Sequence, residues 1–274
     1  MKLFISCDME GISGITDPTY INPGDNNYER GRQFIMNDLN AVIEAAVEAG
    51  ANEILVADSH NTFNNILLEQ LHPKAKLLCG TPRNDSMMEG LDSSFDAAFF
   101  IGYHARHGSP GVLSHTMSSV IKNMYINGQI VGEFGFNAIY AGLCGVPVCL
   151  VSGDDRIAEE AAQLIPGIRT AIVKQAVSRT SAICLSLEGS RSELSQKTKE
   201  ALSNRHSISP LTTERPLQCR IEFAHAGQAE MASIIPGATY HTGSTEVSYQ
   251  AQDQYEMYRT MRAMLNLAAT VPFC

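Results

Sequence analysis

Short, almost uninterrupted apolar runs alternate with helix-patterned stretches through residues 1–165, and this alternation restricts the fold more than any other feature. Lys2–Cys7, Glu53–Ala57, Asp96–Gly102 and Val146–Ser152 read as strands with little polar face, so both faces are expected to be covered. Between the first two, Phe34, Ile35, Leu39, Val42, Ile43, Ala46 and Val47 recur at helical spacing, which predicts a helix over Tyr28–Gly50 with Gly50 as its stop. A second helical stretch is expected at about 62–71, a strand near Lys76–Cys79 and a helix at about 134–144. Asp154 is placed to cap a helix running to about Leu164. Asn127-Gly128 suits a type I′ turn and predicts a hairpin of Ile121–Ile126 with Gln129–Glu133. Strands separated by helices indicate an α/β fold: a mostly parallel sheet with helices on both faces.

From about residue 166 the pattern changes. Strand-like Thr170–Lys174 and a helix at Ser190–Asn204 precede the polar stretch Arg205–Arg215, then strand-like Leu217–Phe223 and Glu246–Ala251 and a terminal helix near 253–269. The chain is read as an α/β metal-binding catalytic part, 1–165, and a smaller C-terminal α+β portion, 166–274; one continuous domain fits nearly as well. A net charge of −9 without a Lys/Arg cluster argues against a nucleic-acid partner. The longest apolar run, 138–151, is broken by Gly142, Gly145 and Pro147 and falls short of the roughly 20 residues that span a bilayer. The apolar stretch before Cys7 is too short for a signal-peptide core of about 7–15 residues. A soluble, cytoplasmic protein is expected. The seven cysteines, at 7, 79, 144, 149, 184, 219 and 274, form no Cys-x-x-Cys pair, which fits a reducing compartment. Cys144, Cys149 and Cys184 have apolar neighbours and are expected to be small buried hydrophobes.

Three of the apolar runs end in potential metal ligands. Asp8 and Glu10 follow the first, two residues apart, so an extended backbone points both to one side. Like charges that converge there repel unless a cation lies between them. His60 follows the second run and His104 the third, and open parallel sheets bind ligands at the carboxyl ends of their strands. Glu133 ends the predicted hairpin, and His115 lies in a loop able to close over the same edge. Carboxylates with imidazoles suit zinc, manganese or iron better than calcium. Five ligands exceed what one catalytic zinc takes, whereas two metals about 3.5–4 Å apart with Asp8 as a bridge would use them all. Each residue has a plainer role open to it. His60 can cap a helix, His104 can bond a carbonyl, and Glu133 can sit favourably at the next helix's N-terminus. Their recurrence at successive strand ends favours the metal reading. His72 and His206 read as surface residues; His107, His225 and His241 are undecided. Ser59 and Ser114 lack a Gly-x-Ser-x-Gly elbow, and Gly11-Ile12-Ser13-Gly14 matches no nucleotide-binding loop.

Asp8-Met9-Glu10-Gly11-Ile12-Ser13-Gly14, Asp58-Ser59-His60, Gly102-Tyr103-His104-Ala105, Ser114-His115-Thr116 and Val131-Gly132-Glu133, taken together and in this order, resemble the zinc D-aminopeptidases. That family is typified by the D-aminopeptidase of the bacterial dipeptide-permease operon. The resemblance implies two zinc ions per subunit, with Asp8 bridging, Glu10 and His60 completing one site, and His104 and Glu133 the other. His115 corresponds to the family's proposed catalytic residue. The resemblance further implies homo-oligomeric, ring-like decamers that cleave N-terminal D-amino acids from short peptides such as D-Ala-D-Ala. Two other readings of the residues stay open: a dimetal hydrolase of another amide or ester, and a non-catalytic metal-containing peptide-binding protein. The ligand set counts against a purely structural zinc, which four Cys or His ligands typically close.

Overall fold

The computed structural model describes residues 1–272; Cys274 lies outside the described residues. In chain order the elements are β1 (Lys2–Cys7), α1 (Tyr28–Glu48), β2 (Glu53–Asp58), β3 (Ala75–Leu78), β4 (Ala97–Ile101), β5 (Ile121–Ile126), β6 (Gln129–Val131), α2 (Glu133–Leu143), β7 (Val148–Asp154) and α3 (Asp155–Leu164). They continue with β8 (Arg169–Ser178), β9 (Ser181–Cys184), α4 (Leu187–Asn204), β10 (Leu217–Phe223), α5 (Ala226–Ala232), β11 (Thr239–Tyr240), β12 (Glu246–Ala251) and α6 (Gln254–Ala268).

Seven strands form one sheet in the order β3-β2-β1-β4-β7-β8-β9, parallel except for the β8–β9 hairpin. β4 and β7 are buried along their whole length and β1 from Leu3 onward, as the absence of a polar face in these runs requires. α1 packs on α4, while α3 and α4 both lie on β7 and β8. After β1 the chain builds outward to β2 and β3, then returns to place β4 on the other side of β1. That reversal is a topological switch point, where the strand ends open a crevice. The second sheet is antiparallel, in the order β11-β12-β10-β5-β6.

Sheet membership does not divide at residue 165. The predicted hairpin joins the second sheet through β5 and β10, and β8 and β9 extend the first. The stretch at 62–71 is not a helix; only Leu68–Gln70 forms a 3₁₀ turn. The Asp58 carboxylate accepts from the Asn65 and Ile66 amides at 2.6 and 2.8 Å and holds this segment as a loop. Glu133 is not the end of a strand. β6 stops at Val131 and Glu133 opens α2. Asp154 caps α3, its carboxylate accepting from the Arg156 and Ile157 amides. Cys184, expected inside, is exposed; Cys7, Cys144, Cys149 and Cys219 are buried, and all six described cysteines are free thiols. Among the described residues no helix is long and apolar enough to cross a membrane.

Candidate metal centre

The ends of β2, β1 and β4 are neighbours in the first sheet, so Asp8, His60 and His104 meet although they are distant in sequence. The Asp8 amide donates to Ile101 O and the Gly11 amide to Gly102 O, at 2.8 and 2.7 Å, which fixes the turn carrying Glu10 against β4. Only glycine fits at residue 11, since a Cβ there would lie 1.9 Å from Tyr103 O. Glu133 enters from the first turn of α2, and its Oε1 accepts from the Met117 amide at 2.7 Å.

All six candidate residues converge. His60 Nδ1 lies 3.2 Å from Asp8 Oδ1 and 3.1 Å from Glu10 Oε2. His104 Nε2 lies 3.5 Å from Asp8 Oδ2 and 3.2 Å from Glu133 Oε1. His115 stacks on His104 with ring centroids 4.1 Å apart, its Nε2 3.5 Å from Glu133 Oε1. The far nitrogen of each ring donates to a main-chain carbonyl: His60 Nε2 to Ile21, His104 Nδ1 to Ala105 and His115 Nδ1 to Leu113, at 2.9, 3.0 and 3.0 Å. A neutral imidazole has one N–H. With that proton committed to a carbonyl, the inward nitrogen of His60 or His104 presents a lone pair to carboxylate oxygens, an arrangement that calls for a cation between them.

Asp8 Oδ2, Glu10 Oε2 and His104 Nε2 are buried without a hydrogen-bond partner among the described residues, as expected of atoms reserved for a metal. Two groups of ligand atoms, each within 4.8 Å of one another, comprise Asp8, Glu10 and His60, and Asp8, His104 and Glu133. They share only Asp8, which turns one oxygen to each histidine. A further overlapping group comprises Glu10, His104 and His115. Oxygen and imidazole nitrogen donors of this kind fit zinc.

The family model described as D-aminopeptidase, peptidase family M55, matches residues 1–263. The chain belongs to the M55 D-aminopeptidase family. It is 48% identical to the D-aminopeptidase of Bacillus subtilis (strain 168), with 100% of both chains covered. The solved Zn-dependent D-aminopeptidase DppA from Bacillus subtilis, a self-compartmentalizing protease, is 47% identical and matches with a TM-score of 0.98 over 100% of both chains.

In this D-aminopeptidase family member, burial pushes the Asp8 carboxyl up to about 8, and the charge of Glu10 adds to the effect. Burial acts on Glu10 in the same direction, but the His60 cation outweighs it and holds Glu10 well below the usual range. Burial opposes charge on His60 and His104, yet Glu10 holds His60 well above its ordinary value and Glu133 raises His104 to about 10. Glu133 is lowered by His104 against the effect of burial. His115 moves the other way, lowered by burial and then by the His104 cation. The carboxylates thus gather protons on the two histidines, which a divalent ion would displace.

A cleft of about 900 Å³ opens over the cluster, lined also by His107, Arg179 and Arg262. His115 keeps 28% of its side chain exposed, against 10% for His60 and 1% for His104, and is the most open of the three to the cleft. Leu113 and Met117, at φ +52° and +59°, bracket it in a strained loop. Of the remaining histidines, His206 is exposed, His72 half-buried, His225 precedes α5, and His241 Nε2 lies 2.9 Å from Ser248 Oγ.

Sequence reasoning missed the carbonyls that orient the histidines, because any residue carries one. It also missed Lys174, whose buried ammonium donates to Glu10 O, Ile12 O and Ile15 O at 2.6, 2.9 and 2.5 Å. A signal was available: a single lysine closes the otherwise apolar stretch Ala171-Ile172-Val173.

Proposed function

We propose that this chain is a dizinc aminopeptidase that releases N-terminal D-amino acids from short peptides such as D-Ala-D-Ala. The observation that carries the reading is the pair of ligand groups sharing Asp8, found in a member of the D-aminopeptidase family. Asp8, Glu10 and His60 would hold one ion, and Asp8, His104 and Glu133 the other. The ions, when bound, supply Lewis acidity toward the scissile carbonyl and activate water at neutral pH.

The chain's own residues supply the rest. Ile21, Ala105 and Leu113 fix the three imidazoles through their carbonyls, so the donors need not reorganise. His115 is not needed in either of the two groups that share Asp8. Burial holds its pKa below the ordinary value, and it is the group that accepts a proton from the attacking water and returns it to the leaving amine. The cleft accommodates a short peptide and still leaves His115 in contact with solvent. The free thiols support a cytoplasmic location. The self-compartmentalizing relative supports a homo-oligomer, and a decameric ring is the form we propose.

Hydrolysis of D-Ala-D-Ala and its L-isomer, before and after chelation and zinc add-back, tests the reading. D-selective release of alanine that zinc restores is the expected result. No release from either isomer by protein carrying zinc refutes the peptidase assignment, and mass photometry of the same protein reads the assembly.

A further inference from the structure

We propose that Arg179 binds the C-terminal carboxylate of the substrate and so selects dipeptides over peptides blocked at that end. The inference rests on the D-aminopeptidase reading and adds a recognition element on the leaving-group side. Arg179 sits in the turn between β8 and β9 and lines the same cleft as His115. It is tied to the two residues just before that histidine. Its carbonyl accepts from the Leu113 amide at 2.8 Å, its Nη1 donates to Ser114 O, and Nη1 lies 3.5 Å from Ser114 Oγ.

These contacts leave the Nε–Nη2 edge of the guanidinium without an acceptor, and no carboxylate pairs with Arg179 among the described residues. The same edge of Arg259 shows what it can hold. There Nε and Nη2 grip both oxygens of Asp85 at 3.0 and 3.4 Å. A guanidinium is charged at every relevant pH, and its planar fork matches a carboxylate.

The chemistry of a dipeptide sets where such an anchor must lie. In the leaving residue only Cα separates the amine nitrogen from the carboxylate carbon, a gap of about 2.5 Å from standard bond lengths. The group that grips the carboxylate therefore has to stand beside the group that protonates the amine. Arg179 is bonded to the residue preceding His115, while Arg262 reaches the cleft from α6 without that link. Arg83 turns its Nε, Nη1 and Nη2 to the carbonyls of Gly80, Asp58 and Leu78 and does not line the cleft.

The test uses the zinc-loaded protein and its R179A and R179K variants; Arg179 is exposed, and R179K keeps a donor for the loop. Turnover is compared on D-Ala-D-Ala and D-alanyl-D-alaninamide. Binding is compared by calorimetry on reduced-amide analogues, with CH₂–NH at the scissile bond and a free or amidated C-terminus. The wild type is expected to favour the free carboxylate by about tenfold or more in kcat/KM and in analogue Kd, the scale of one lost charge-assisted contact. In R179A that preference collapses, mostly through KM, and R179K keeps part of it. Equal losses on both substrates would reduce Arg179 to a support for the His115 loop and overturn the proposal, as would a preference that R179A leaves intact. If the wild type cleaves neither peptide, the peptidase reading fails; the analogue affinities then decide the anchor alone, lost carboxylate preference in R179A sustaining it and an unchanged one sinking it.

Discussion

Lys174→Met tests whether the turn carrying Glu10 is held by a single buried cation. The methionine keeps the length and volume of the stem and removes only the ammonium. Three buried carbonyls, those of Glu10, Ile12 and Ile15, then lose their donor. At about 1–3 kcal/mol for each buried group left unsatisfied, the gross loss is about 3–9 kcal/mol. Against it stands relief of the ammonium's desolvation, which pushes the Lys174 pKa down to about 8 and offsets several kcal/mol. The net expectation is a loss of about 2–4 kcal/mol. It should be accompanied by weaker zinc retention, because the Glu10 backbone is one of the three groups released. Equilibrium denaturation in urea reads the first quantity and metal analysis after dialysis the second. Stability within about 0.5 kcal/mol of wild type, with zinc retained, would refute the claim that the lysine holds the turn, since changes that small are typical of sites without a special role.

His115→Ala is expected to keep its zinc while turnover falls by about 10²–10⁴-fold, the scale of general acid–base catalysis; metal analysis beside kinetics checks it, and near-normal rates exclude the role. Asp8→Ala should empty both sites, because its two oxygens face different histidines, whereas His60→Ala should leave the Asp8, His104 and Glu133 group able to bind; zinc stoichiometry distinguishes the outcomes. Gly11→Ala forces a methyl to 1.9 Å from Tyr103 O and should cost about 1–3 kcal/mol or more, read as a lowered melting temperature. After chelation, stability should fall as pH rises from the ordinary histidine value of 6.5 toward the raised His104 value of about 10. Over that window the folded state binds a proton that the unfolded chain has released, so folding weakens with rising pH. Melts of chelated and zinc-loaded protein at the two ends check the sign, and a chelated protein more stable at high pH contradicts it.

Local patterning carried much of the fold. β10 and β12 occupy the stretches read as strands, Leu217–Phe223 and Glu246–Ala251, because side chains alternate inward and outward along them. Asp154 was readable as a cap for the same local reason. Sheet partnership was not, because β5 finds β10 about a hundred residues later and nothing near either strand names the other. The stretch at 62–71 misled because the apolar spacing was real while the Asp58 carboxylate claimed the backbone amides a helix would have used. At the centre, Asp8, Glu10, His60, His104, His115 and Glu133 were visible as side chains at element ends. The aim of the three histidines was invisible, being set by carbonyls of Ile21, Ala105 and Leu113.

The neighbouring ends of β2, β1 and β4 also set an order of events. Asp8 and His60 are 52 residues apart and meet only when parallel strands have already paired. An unfolded chain therefore does not bring either complete ligand group together. Zinc that binds the paired strand ends stabilises the folded protein by mass action. Supply of zinc in the cell would then govern how much of the protein is active, and would add to the stability of what has folded.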